Sequence, residues 1–152
     1  MKKILLALLG AGLFATAVFA EGDEVPVKMH ELPDAARTLV KKYFGDVEVV
    51  SALMEKGVAP SYEVKLADGT KLDFDARGEW TDIERPGGAV PDGLIPQPIQ
   101  KFVAANYPGQ HVRGIERDSR THEVTLGNGL ELKFNRKFRL VCCRHFLFCI
   151  SK

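Results

Sequence analysis

Apolar residues recur along this chain with two periods, and the switching between them outlines an architecture. Leu32, Ala36, Leu39, Val40 and Tyr43 fall on one face of a 3.6-residue turn, which predicts an amphipathic helix. Pro33 suits the first helical position, where a missing N–H costs nothing. Asp34 complements the positive helix end and Lys41 and Lys42 the negative one, before Gly45 stops it. Val47 to Met54 alternates loosely, with Val47, Val49, Ser51 and Leu53 on one side, and reads as a strand. After Gly57 and Pro60 the alternation sharpens: Tyr62, Val64 and Leu66 share one face of a run, and Leu72 and Phe74 share one face of the next.

The turn between those two runs decides their register. With Asp68-Gly69 as a two-residue turn, Val64 would face Asp73 and Leu66 would face Lys71, which mixes apolar and charged side chains on one side of the sheet. A three-residue loop, Ala67-Asp68-Gly69, pairs Val64 with Leu72 and Tyr62 with Phe74. It also puts Gly69 where this hairpin class needs a left-handed residue. The same rule applied to Ala76-Arg77-Gly78 pairs Phe74 with Trp80. One apolar face then carries Tyr62, Val64, Leu72, Phe74 and Trp80, each large side chain worth roughly 1.5–3 kcal/mol when covered. The first helix is the natural cover.

The pattern is then written again. Ile95-Pro96 echoes Leu32-Pro33, and Ile95, Ile99, Phe102, Val103 and Asn106 or Tyr107 repeat the helical stripe. Val112 to Glu116 stands where the first strand stood. His122-Glu-Val-Thr-Leu-Gly-Asn-Gly-Leu-Glu-Leu-Lys-Phe134 copies Tyr62 to Phe74, with Gly127-Asn128-Gly129 as its loop, Val124 opposite Leu132 and His122 opposite Phe134. Residues have been lost between the first and second strands of this copy, as loops permit. These patterns predict an α+β protein of two tandem repeats, each a helix packed on an antiparallel β-meander of about four strands. The divisions are a lead-in over 21–30, a first unit over 31–84, a linker over 85–93, a second unit over 94–136 and an atypical tail over 137–152. The linker, Arg85-Pro-Gly-Gly-Ala-Val-Pro-Asp-Gly93, breaks every period. Units of this size are marginal alone, so the two should form one sheet or pack closely.

Residues 1–20 stand apart. Lys2 and Lys3 precede an apolar run from Ile4 to Phe19, and Val18-Phe-Ala20 offers the small residues of a cleavage site. This is the pattern of a secretory signal peptide cleaved after Ala20. The competing reading, a retained anchor, calls for roughly 20 apolar residues, and the run is somewhat short for it. Membrane contact is therefore expected only through the cleaved peptide. The 21 basic and 20 acidic residues nearly cancel, so nothing in the balance points to nucleic acid. All three cysteines, Cys142, Cys143 and Cys149, fall in the tail. An odd count in an exported chain leaves at least one thiol free or paired between molecules, and the core must hold together by packing.

The residues carry a resemblance. A Leu-Pro ahead of a helix ending Tyr43-Phe44 is followed by Tyr62-Glu-Val-x-Leu-x-Asp-Gly-x-x-Leu-x-Phe-Asp-x-x-Gly-x-Trp80. Then come Ile95-Pro96, a second helix ending Asn106-Tyr-Pro108, and His122-Glu-Val-x-Leu-x-Asn-Gly-x-Glu-Leu-x-Phe134. Over about residues 30–136 this resembles the PepSY-like proteins related in fold to the β-lactamase-inhibitor protein. The resemblance implies a periplasmic or secreted protein of a Gram-negative bacterium, of a kind found in the Bacteroides group. It implies a binding module that inhibits or holds a protein partner on its open sheet face and does not imply a catalytic centre; the expectation is a non-enzymatic protein without a cofactor. The family closes its second unit like its first, with Phe-Asp-x-x-Gly-x-Phe/Trp. Here Phe134-Asn-Arg-Lys137 runs into Phe138 and an apolar, cysteine-bearing tail with no turn glycine. The abrupt change of composition points to a shifted reading frame from about residue 137. The alternative is a native variant whose tail supplies the last strand.

Few constellations carry chemistry. Asp73, Asp75 and Gly78 resemble part of a calcium loop, but the loop is too short and lacks the terminal bidentate glutamate, so these read as turn residues. On the face opposite the apolar cluster, Glu63 should lie across from Asp73 and Lys65 across from Lys71. Like charges so opposed are mildly unfavourable, and diagonal contacts of Glu63 with Lys71 and Lys65 with Asp73 would offset them. With Glu123, Thr125, Glu131 and Lys133 from the second unit, these residues make the candidate partner face. The default for such a face is solvation, since it has few aromatic anchors. His30, His111, His122 and His145 show no ligand spacing. Cys142, Cys143, His145 and Cys149 fit no common zinc site, because adjacent residues point apart on a strand. There is no nucleophile elbow and no phosphate-binding glycine loop. Two functions stay open: docking of an envelope protein, or binding of a small envelope ligand between the two units, as in a sensing or enzyme-associated domain. A third reading is a folded envelope protein damaged at its end.

Overall fold

A computed structural model describes residues 24–145; the expected signal peptide and Cys149 lie outside the described residues. Nine strands form one antiparallel sheet, each hydrogen-bonded to the next in chain order. They are β1 (Glu24–Pro26), β2 (Val49–Glu55), β3 (Ser61–Leu66), β4 (Lys71–Phe74), β5 (Trp80–Glu84), β6 (Val112–Arg117), β7 (Thr121–Leu126), β8 (Leu130–Asn135) and β9 (Leu140–His145). Helix α1 (Asp34–Phe44) precedes β2 and helix α2 (Gln97–Asn106) precedes β6. The halves meet where β5 pairs with β6, Ile83 opposite Ile115. The fold is thus α+β, with two helices on a nine-stranded sheet.

Strand alternation puts Val64, Leu72, Phe74, Ile83, Ile115, Val124, Leu132 and Phe134 on one side. There they join Ala36, Val40 and Phe44 of α1 and Ile99 and Val103 of α2 in a single buried core. Phe102 adds an edge-to-face contact with Phe134, ring centres 5.2 Å apart. Both helices therefore cover the same face of the sheet and leave the other open. The predicted registers hold: Val64 pairs with Leu72 and Tyr62 with Phe74, Val124 with Leu132 and His122 with Phe134, and Phe74 with Trp80. Gly69 and Gly129 close their loops at φ of 84° and 82°.

Departures from the expected pattern have local causes. The lead-in supplies β1, whose Val25 pairs with Met54; three residues are too few to show a period. The first helix starts at Asp34 with Pro33 as its cap, one position later than expected, and the first strand starts at Val49 instead of Val47. The segment over 85–93 is packed: Val90 is buried and its N–H donates to the Val112 carbonyl at 2.8 Å. Bulges recur at matching places. Val50 is the extra residue between Val49 and Ser51, as Arg113 is between Val112 and Gly114. Likewise Thr81 is extra opposite Asp73 and Phe74, as Val141 is opposite Lys133 and Phe134. Bulge residues have no direct cross-strand partner, which accounts for the exposure of Val50 and Val141.

The second half of the sheet ends in the same turn as the first half, although its glycine is missing. In the first, the Gly78 N–H donates to the Asp75 carbonyl at 2.9 Å, and the Asp75 carboxylate accepts the N–H groups of Arg77 and Glu79, both at 2.9 Å. In the second, the Phe138 N–H donates to the Asn135 carbonyl at 2.8 Å, and the Asn135 side-chain oxygen accepts those of Lys137 at 2.9 Å and Arg139 at 3.1 Å. Phe138 takes the left-handed conformation at φ 55° where Gly78 has 80°. The tail then continues as β9.

Candidate functional site

The open face is built by register. Its first row runs Glu63, Asp73, Asp82, Glu116, Glu123 and Lys133, each directly opposite the next on the neighbouring strand. A second row runs Lys65, Lys71, Glu84, Gly114, Thr125, Glu131 and Arg144. The flanks of these rows neutralise themselves. Lys71 Nζ lies 3.0 Å from Asp73 and 3.3 Å from Glu63, and Lys65 Nζ lies 2.9 Å from Glu63. On the other flank, Lys133 and Arg144 meet Glu123 at 3.3 and 2.9 Å. Of the two expected diagonal contacts, Glu63 with Lys71 forms; Lys65 turns to Glu63 on its own strand instead of to Asp73.

The centre is different. Among the described residues, Asp82, Glu84 and Glu116 form no ion pair, and five carboxylates stand side by side across five strands. Burial, then the charges of Glu84 and Asp73, push the Asp82 carboxyl up to about 6 against the attraction of Lys71. Burial also works against the ionised Glu63, but hydrogen bonds from Lys65 and Lys71 outweigh it and hold Glu63 below the usual range. The eight face residues expected from the sequence thus sit in two groups, one in each half. The three central carboxylates were not legible, because β5 and β6 are joined through 27 intervening residues with no hairpin to fix their register.

A second feature lies at the turn end of the sheet, where the two halves adjoin. A groove of about 690 Å³ is lined by Asp75, Arg77, Glu79, Trp80 and Thr81 of the first half and by Arg117, Asp118, Ser119, Arg120, His122 and Arg136 of the second. Such a volume is within the range of small-molecule sites. Arg117 is locked in place: Nε donates to the Trp80 carbonyl at 2.7 Å, Nη2 donates to Glu79 at 3.1 Å, and the guanidinium stacks 4.1 Å from the Trp80 ring centre. Arg77 pairs with Asp75 at 3.1 Å. Asp118 accepts the N–H groups of Arg120 and Thr121 and the Thr121 hydroxyl, which hold its carboxyl below the usual range. Among the described residues, the guanidinium groups of Arg120 and Arg136 have no partner. The His122 ring packs against Phe138 at 5.2 Å, and its Nδ1 is buried without a hydrogen bond. Burial and then Arg117 lower the His122 pKa, so the imidazole is neutral near neutral pH.

The remaining candidates do not converge. Asp75 is committed to its turn and to Arg77, whereas Asp73 faces the open side. Cys142 and Cys143 lie opposite Lys133 and Leu132 and so belong to opposite faces, both exposed. Among the described residues no three histidine, cysteine or acidic side chains group as a metal site.

The sequence profile of a family described as "Putative beta-lactamase-inhibitor-like, PepSY-like" matches residues 60–141. A solved structure from Bacteroides vulgatus, described as a putative periplasmic protein, is 39% identical with a TM-score of 0.79 over 81% of this chain and 98% of its own. One from Bacteroides thetaiotaomicron, described as a "putative calcium-regulated periplasmic protein", is 39% identical with a TM-score of 0.78 over the same shares. Another from Bacteroides vulgatus, described as of unknown function, is 38% identical with a TM-score of 0.75 over 80% and 98%. No curated protein matches the chain.

Proposed function

The chain belongs to the PepSY-like family, and from that premise we propose that it is a non-enzymatic binding module that docks a basic segment of a protein partner on its helix-free sheet face. It is a periplasmic or secreted protein, like the Bacteroides proteins it resembles, and among the described residues no helix is long and apolar enough to cross a membrane.

The observation that carries the reading is the central row of carboxylates. A sheet face left to water has no need to set Asp73, Asp82 and Glu116 directly opposite one another, an arrangement that is unfavourable in the free protein. A lysine or arginine from a partner, placed between Asp82 and Glu116, converts that repulsion into charge-assisted hydrogen bonds. The self-neutralised flanks around Glu63, Lys65, Lys71, Glu123, Glu131 and Lys133 then form a polar rim, with Thr125 beside the seam. Docking of this kind can hold or inhibit the partner. We also read the chain as two tandem repeats, on the strength of the matched registers, matched bulges and matched closing turns. Calcium regulation, named in the description of the Bacteroides thetaiotaomicron protein, has no support in the loop from Asp73 to Gly78, where the Asp75 carboxylate is already occupied by two N–H groups and a guanidinium.

The test is affinity capture from periplasmic extract at low salt, run in parallel with the wild type and a Glu84→Lys, Glu116→Lys variant. The expected result is one envelope protein with a basic segment, retained by the wild type, released by salt and lost from the variant. Equal recovery on both proteins, or recovery of no such protein, counts against the docking face.

A further inference from the structure

We propose that the groove between the two halves is a binding site for a small, multiply charged oxyanion, a polycarboxylate or a phosphate ester. Its lining holds four guanidinium groups and three carboxylates, and the carboxylates are already committed. Asp75 is bound to Arg77 and to its turn, Glu79 to Arg117, and Asp118 to the N–H groups that follow it. Arg120 and Arg136 are left as unneutralised cations in the same concavity. Guanidinium groups present paired donors that match carboxylate and phosphate oxygens.

Two further observations favour a ligand over plain solvent. The Arg117 guanidinium is fixed on both edges and stacked on Trp80, so this part of the wall is ordered before any ligand arrives, which lowers the cost of binding. The imidazole of His122 lines the same wall and is packed on Phe138, so a second ring beside Trp80 is fixed in place, and being neutral it adds no charge of its own. The site needs both halves: Arg77, Glu79 and Trp80 come from one, Arg117, Arg120, His122 and Arg136 from the other. It is separate from the central carboxylates of the open face, so either site can fail without the other.

Trp80 is the only tryptophan of the chain, which makes its fluorescence a local probe. The full chain is titrated with citrate and with inorganic phosphate at fixed ionic strength, with sodium chloride as the screening control. A saturable change in Trp80 emission is expected for at least one of the two, and a weakening of about tenfold for each guanidinium removed in Arg120→Gln and Arg136→Gln. Both side chains lie outside the core, so an unchanged unfolding midpoint will confirm that the variants fold. A response matched by sodium chloride, or an affinity unchanged in the double variant, overturns the proposal. So does binding of a poly-glutamate peptide with neither small anion bound, which would make the groove a contact for acidic protein segments.

Discussion

Replacing Asp82 by Asn should stabilise this protein, and only above a definite pH. Asn preserves the shape of the side chain and removes the charge that burial, Glu84 and Asp73 disfavour. The carboxyl rises from 3.8 to about 6 on folding. At about 1.4 kcal/mol per pH unit that corresponds to at most roughly 3 kcal/mol, and solvent at the open face should screen it to about 1 kcal/mol. Between those two pKa values the folded state holds more protons than the unfolded one, so this group's contribution to stability falls as pH rises through that window. Glu63, Asp68 and Asp75, held low in the fold, act with the opposite sign, and the difference between variant and wild type isolates Asp82. Urea denaturation followed by Trp80 emission should give no difference near pH 4, and the variant ahead by about 1 kcal/mol near pH 8, or about 3–5 °C in Tm for a chain of this size. An Asn variant no more stable than wild type near pH 8, or equally favoured near pH 4, would refute the account of a repelled, half-buried carboxylate.

Gly78→Ala should lower stability by about 2 kcal/mol or more, measured by thermal unfolding, because it adds left-handed strain to a methyl group placed 2.7 Å from Pro33 Cβ and 2.9 Å from the Ala36 nitrogen. At Phe138 the usual preference for alanine should reverse: Phe138→Gly should be about 1 kcal/mol more stable than Phe138→Ala, since both lose the ring but only glycine accepts φ 55° freely. Arg117→Ala should cost about 1–3 kcal/mol in urea denaturation through loss of the Trp80 stacking and two charged hydrogen bonds, and should shift the Trp80 emission of the folded protein.

Much of this fold can be read from the sequence because the hairpins leave the register no choice. Val64 against Leu72 and Val124 against Leu132 follow from one rule about glycine in a three-residue loop, and the open-face pairs follow with them. Tertiary context decides the rest. Pairing of β5 with β6 has no turn to announce it, so Asp82, Glu84 and Glu116 look like isolated surface residues until Ile83 meets Ile115. The closing turn of the second unit was hidden for another reason: glycine is the expected signal for a left-handed position, and Phe138 fills it while Asn135 reproduces the hydrogen bonds of Asp75. The groove is not legible in the sequence because its arginines come from four separate turns and strands, and no spacing rule connects them.

The seam between β5 and β6 consists of three residue pairs, Asp82 with Glu116, Ile83 with Ile115 and Glu84 with Gly114. On one side an isoleucine contact draws the strands together; on the other, carboxylates push them apart. The joint of the molecule therefore carries opposed carboxylates on its open side and an apolar contact on its covered side. A basic segment docked there as proposed would act as mortar: its binding energy would become cohesion between the halves, growing with the logarithm of its concentration above Kd. Recognition and the mechanical integrity of the sheet would then be a single equilibrium, with the Ile83 amide exchanging with solvent more slowly whenever the row is filled.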